Sequence, residues 1–63
     1  MTPQGLVRKV ERLLEADRGF WWPSEIAQSL KISWMEAALA MWACVGRGTA
    51  IKRKDGRFFY VDR

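Results

Sequence analysis

Cys44 is the only cysteine in the chain and there is no histidine. Neither an intramolecular disulfide nor a zinc site of three or four nitrogen and sulfur ligands can therefore hold this sequence together. The restriction bites because the chain has 63 residues, which makes a single domain, residues 1–63. A domain of that size buries only about 60% of its unfolded surface and usually relies on a disulfide, a metal or a partner chain. With the first two removed, dense aromatic packing or association with another chain is left. Four tryptophans (Trp21, Trp22, Trp34, Trp42) and three phenylalanines suit either, since one large aromatic buries roughly 150–250 Å².

The order of elements is legible from period and punctuation. Thr2 is a good helix N-cap and Pro3 fits the first helical position, where a missing N–H costs nothing. Leu6, Val10, Leu13 and Leu14 then recur at helical spacing, and Gly19 is placed to end the helix as a left-handed cap. Phe20-Trp21-Trp22 reads as a brief extended segment whose adjacent indoles face opposite ways. Pro23 or Ser24 opens a second helix through Leu30 with Ile26, Ala27 and Leu30 as its apolar face, and Lys31-Ile32 forms a turn. Ser33 and Glu36 make an S-x-x-E capping box for a third helix, which runs through Val45 and stops near Gly46-Arg47-Gly48. Beyond it, Thr49–Arg53 and Arg57–Val61 flank Lys54-Asp55-Gly56; Asp-Gly favours a type I′ hairpin turn. The fold class expected is mainly α with a small β-hairpin (α+β).

Charge is distributed unevenly along this order. Residues 1–45 carry five basic and five acidic groups, whereas residues 46–63 carry six basic groups (Arg47, Lys52, Arg53, Lys54, Arg57, Arg63) against Asp55 and Asp62, so the net +4 lies in the last eighteen residues. Such an asymmetry predicts a polyanionic partner, nucleic acid first. Edge strands also carry lysine and arginine to prevent edge-to-edge pairing, and the two roles are compatible.

The order helix, short strand, helix, turn, helix, hairpin resembles the winged helix-turn-helix superfamily over nearly the whole chain. Pro23-Ser24-Glu25-Ile26-Ala27-Gln28-Ser29-Leu30 with Lys31-Ile32-Ser33 looks like the first helix and turn of that motif. Met41, Cys44 and Gly48 fall where the family has two core positions and the glycine entering the wing, and Asp55-Gly56-Arg57 looks like the wing tip. The resemblance implies three helices plus a two- or three-stranded wing, and a DNA-binding regulator in which the third helix approaches the major groove. Domains of this fold also serve as protein-binding modules.

The residue inventory argues against catalysis. It has no histidine and no Gly-rich phosphate loop, and Cys44 lies on the stripe Ala37, Met41, Cys44, where a free cysteine packs as a small hydrophobe. Neither an enzymatic activity, a cofactor, a metal nor a small-molecule substrate is expected. Phosphate contacts are expected from Lys52, Arg53, Lys54 and Arg57 at the hairpin, from Arg47, and from Lys31 and Ser33 at the turn before the third helix, whose N-terminus favours an anion. These contacts give affinity and register but little sequence information.

The third helix departs from the pattern of a DNA reader. Glu36 is its only charged residue before Gly46, and it has no amide side chain. If Ala37, Ala40, Met41 and Cys44 face inward, then Met35, Ala38, Leu39 and Trp42 face outward. Three readings stay open: a helix buried all round, a protein interface centred on Met35, Leu39 and Trp42, or apolar contact with thymine methyls and stacking on unpaired bases. The leading expectation is a small cytoplasmic DNA-binding protein of weak sequence specificity, acting on double-stranded DNA as a homodimer or with a protein partner. The alternative is a protein-interaction module, similar to inhibitors from phages and mobile elements such as anti-CRISPR proteins. The N-terminus has no signal-like apolar region, and no stretch reaches the roughly 18 apolar residues of a membrane span.

Overall fold

A computed structural model describes residues 4–61. Helices α1 (Gln4–Ala16), α2 (Pro23–Leu30) and α3 (Trp34–Arg47) precede an antiparallel hairpin of β1 (Ala50–Lys52) and β2 (Phe58–Tyr60). The chain is thus a small α+β domain, and α3 packs against α1, α2 and β1.

Helix α1 buries Val7, Val10 and Leu14, with Leu6 and Leu13 half-buried at the margins, so the apolar stripe is centred on Val7 rather than Leu6. The expected cap at Thr2 and Pro3 lies outside the described residues. The far end of α1 differs from expectation. The helix closes at Ala16, and Gly19 does not take the left-handed conformation. Asp17 supplies a local turn instead, its Oδ1 accepting the Gly19 N–H at 3.3 Å.

Pro23 occupies the first turn of α2, and the Trp22 N–H just before it donates to Glu25 Oε1 at 2.8 Å. Lys31 ends the helix at φ 56°, a left-handed conformation unusual for a residue with a Cβ. That geometry returns the N–H groups of Lys31 and Ile32 to the Ala27 carbonyl. The capping box of α3 forms as its sequence predicts: Ser33 Oγ accepts the Glu36 N–H, and Glu36 Oε1 accepts the Ser33 N–H, each at 3.1 Å. Gly48, at φ 82°, closes α3 and donates to the carbonyls of Cys44 and Val45. Small residues dominate the inner face of α3. Ala37, Ala40 and Cys44 are fully buried beside Met41, which lets the neighbouring helices approach closely.

In the hairpin, Ala50 pairs with Tyr60, Ile51 with Phe59 and Lys52 with Phe58. The turn is not the expected type I′. Only Gly56 has positive φ (101°), the Gly56 N–H donates to the Arg53 carbonyl at 3.1 Å, and the Arg53 N–H donates to the Arg57 carbonyl at 2.7 Å. This is a three-residue loop with a left-handed glycine at its end. Asp55 holds it by accepting the Arg57 N–H at 3.0 Å. A third strand is reduced to one residue: Trp21 exchanges two backbone hydrogen bonds with Phe58, at 2.8 and 2.7 Å. Phe58 is accordingly buried at the centre of the molecule, with Leu14, Ile26, Met41, Val10 and Cys44. Among the described residues no helix is long and apolar enough to cross a membrane.

Candidate functional site

The Trp21–Phe58 bridge decides which of the two adjacent indoles is available. Extended backbone turns Trp21 inward, where it packs on the core and donates its Nε1–H to the Asp17 carbonyl at 2.8 Å. Trp22 then points the other way and keeps 43% of its surface exposed.

Beside Trp22 lies a groove between the start of α2, the outer side of α3 and the hairpin, with a volume of about 260 Å³. Trp22, Trp34 and Trp42 contribute indole rings to it, and Lys52 and Ser24 contribute the polar side chains. Trp42 stands edge-on to Phe58, with ring centroids 5.6 Å apart, and the Lys52 ammonium sits 5.6 Å from the Trp42 centroid. Gly56 belongs to the same wall. A Cβ there would come within 3.1 Å of the Trp22 ring, so glycine serves both the turn and the close approach of hairpin to indole. None of the described residues lining the groove is a carboxylate.

A second aromatic cluster flanks the hairpin tip. The Arg53 and Arg57 guanidinium carbons lie 4.2 and 5.0 Å from the Phe20 centroid, and Phe59 meets Phe20 edge-to-face at 5.7 Å. Arg57 also chelates Asp55, its Nη2 and Nε donating to Oδ2 at 2.7 and 2.9 Å. The Arg57 side-chain hydrogen bonds, then its backbone N–H, lower the Asp55 pKa to about 2. The tip therefore keeps three net positive charges, Lys52, Arg53, Lys54 and Arg57 against Asp55. Lys54 and Lys31 are exposed and make no ion pair among the described residues.

The opposite side of the hairpin is tied down. Arg47 donates to Glu11 Oε2 at 2.7 Å, the Thr49 hydroxyl donates to the same oxygen at 2.9 Å, and the Tyr60 hydroxyl donates to Glu15 at 2.8 Å. Burial alone would raise the Glu11 pKa, but the hydrogen bonds from Arg47 and Thr49 and the charges of Arg47 and Arg8 bring it below its ordinary value. Arg47, expected on phosphate, is thus engaged within the chain. Ser33 spends its oxygen on the α3 cap. Cys44 is fully buried, and burial, with the nearby Glu11 charge, pushes its thiol up to about 11, an environment for packing rather than nucleophilic chemistry.

Of the positions expected as an interface, Met35 (66% exposed) and Leu39 are open on α3, while Trp42 is half exposed and committed on one edge to Phe58. The sequence pattern had not singled out Phe20 or Trp34. Trp34 opens α3 with 58% of its surface exposed; the available signal was the high tryptophan count combined with a helix that has more apolar positions than one face can bury. Among the described residues there is no cluster of His, Cys, Asp or Glu able to hold a metal ion. Comparison with known proteins finds no matching family model, no matching curated protein and no matching solved structure.

Proposed function

We infer that this domain is a small winged-helix protein that binds nucleic acid, DNA first, through phosphate contacts from its hairpin. The observation that carries the reading is the position of Lys52. Its ammonium stands over Trp42, beside the exposed side of α3, in a groove that no described carboxylate lines. Lys54 extends the same charge to the tip, and Arg53 and Arg57 add to it over Phe20. A winged-helix arrangement is supported by the element order, with the hairpin directly after α3. In that arrangement the hairpin and α3 would face the same nucleic acid strand.

Duplex DNA titrated at several salt concentrations tests this. Lys52→Ala and Lys54→Ala should each weaken binding about equally for unrelated sequences and each reduce the salt slope by roughly one phosphate contact. Unchanged slopes in both variants mean that the hairpin does not touch phosphate.

A second reading rests on Met35 and Leu39, large apolar side chains exposed on α3 outside the groove. They form a short strip for a second copy of the chain. Leu39→Glu, at a position that is not part of the core, should then convert a dimer to a folded monomer by light scattering; a wild-type monomer at all concentrations removes this reading.

A further inference from the structure

We propose that the groove between Trp22, Trp34 and Trp42 is a slot for an unpaired nucleobase, so that the domain prefers single-stranded or locally opened nucleic acid over an intact duplex. The proposal rests on the phosphate-binding reading of the hairpin and names the form of nucleic acid it serves. Three features of the groove fix the chemistry of its occupant. Its aromatic surface comes from three indoles. Lys52 and Arg57 lie 5.6 and 5.9 Å from the Trp42 and Trp22 ring centroids, whereas Trp34, 58% exposed, has no cation over its ring among the described residues and is the ring on which a flat occupant can stack. Its volume of about 260 Å³ lies below the range of roughly 300–1,000 Å³ typical of sites for drug-sized ligands, so the occupant is small, on the scale of a nucleobase. Its charge is Lys52 with no described carboxylate, so the occupant must carry or adjoin negative charge. A nucleotide unit within a strand meets all three conditions, its base on Trp34 and its phosphate toward Lys52 and the hairpin tip.

The same features reject the obvious competitors. Aromatic clusters of this kind can hold a quaternary ammonium group, but here the Lys52 ammonium already lies over the Trp42 face and would repel a second cation. An intact duplex presents base edges and methyl groups in its grooves, while its base faces are consumed by stacking. The exposed residues of α3 along the groove are Trp34 and Trp42, neither of which can make the bidentate hydrogen bonds that read a base edge. Unpaired bases expose the faces that this surface matches, and stacking on aromatic side chains is how strands are bound without sequence preference.

The test is fluorescence anisotropy of a labelled twelve-nucleotide deoxythymidine strand and of a labelled mixed-sequence duplex, at one salt concentration. The variants are Trp34→Ala, Trp34→Leu and Lys54→Ala, with circular dichroism to verify folding. Wild type should bind the single strand at least tenfold more tightly than the duplex. Both Trp34 variants should lose roughly ten- to a hundredfold on the single strand, the range for one base stack, with little change on the duplex. The leucine variant keeps apolar bulk and removes only the flat face. Lys54→Ala should weaken both forms alike. Equal affinity of wild type for strand and duplex, with no loss in folded Trp34 variants, overturns the slot while leaving the phosphate-binding hairpin standing. Absence of binding to either form at low salt overturns the phosphate reading and the slot together.

Discussion

The two sides of the hairpin are built from different materials. Toward α1 the hairpin and the end of α3 that leads into it are fastened by polar groups: Glu11 takes hydrogen bonds from Arg47 and Thr49, and Glu15 takes one from Tyr60. Toward α2 and the outer side of α3 the hairpin meets rings, with Lys52 over Trp42 and Gly56 close to Trp22, and a groove remains between them. Directional hydrogen bonds hold the hairpin in one orientation. Trp22, Trp34 and Trp42, each about half exposed, leave contact area unspent. On the proposed reading the difference separates an anchor from a binding surface: Arg47, expected on phosphate as Lys52 is, is paired with Glu11, while Lys52 stands over Trp42 at the groove.

Phe58 belongs to both sides, so its removal should collapse the distinction. It is 1% exposed, pairs with Trp21 and supports Trp42. Phe58→Ala should cost about 3–5 kcal/mol. For a domain this small that is most of its stability, and thermal denaturation should find the variant largely unfolded at room temperature. A cooperative melt near that of wild type would show that the two sides do not share a core.

Gly56→Ala perturbs only the groove side. The residue has φ 101°, and the added Cβ would press to 3.1 Å from the Trp22 ring. A cost on the order of 1–2 kcal/mol is expected from the backbone conformation, with nucleic acid affinity falling further than stability because Trp22 must move. Urea denaturation and the anisotropy titration measure the two effects separately. A stable variant with unchanged affinity would detach Trp22 from the site.

Glu11→Gln perturbs only the anchored side, and its effect should be the smallest. Arg47 is half exposed, so solvent screening leaves the pair about 0.2–1 kcal/mol. The Glu11 pKa is lowered on folding from its ordinary value of 4.5. Its contribution is therefore fully present above pH 4.5 and lost as pH falls through the lower folded value. Asp55 behaves alike, its contribution fading between its ordinary 3.8 and about 2. Denaturation curves at pH 7 and pH 3 should show Glu11→Gln losing less stability on acidification than wild type does. Equal acid losses would mean that the Glu11 pair contributes nothing to the fold.

The parts of this molecule that could be read from the sequence are those governed by neighbours in the chain. Pro23 marks a helix start through its fixed φ and missing N–H, the Ser33/Glu36 box marks another through local hydrogen bonds, and α3 ends within the expected Gly46-Arg47-Gly48 stretch, with Gly48 as its cap. The inward set of Ala37, Ala40, Met41 and Cys44, one reading among those left open for a helix with apolar residues all round, is the set that the fold buries. What escaped depends on distant partners or on equally good local solutions. Arg47 meets Glu11 across 36 residues, which no spacing rule anticipates. Trp21 rather than Trp22 turned inward because Phe58 pairs with it. Asp55-Gly56 is compatible with both two-residue and three-residue hairpin loops, and the Asp55 carboxylate on Arg57 accompanies the longer one. Gly19 looked like a helix cap, but Asp17 supplied the turn first. The aromatic groove escaped for the same reason as the anchor: its residues come from α2, α3 and the hairpin, and only the fold brings them together.

The central claim is that the aromatic side of the hairpin, and not the anchored side, receives nucleic acid. Four indole N–H groups report on it directly, one on the inner side and three around the groove. A heteronuclear NMR titration of the labelled protein with a short deoxythymidine strand resolves them individually. The indole signals of Trp22, Trp34 and Trp42 should shift progressively, together with the backbone amides of Lys52 and Gly56. The Trp21 indole, bonded to the Asp17 carbonyl, should stay in place with the amides of Glu11 and Glu15. Shifts concentrated on Trp21 and α1, with the three groove indoles unmoved, would contradict it.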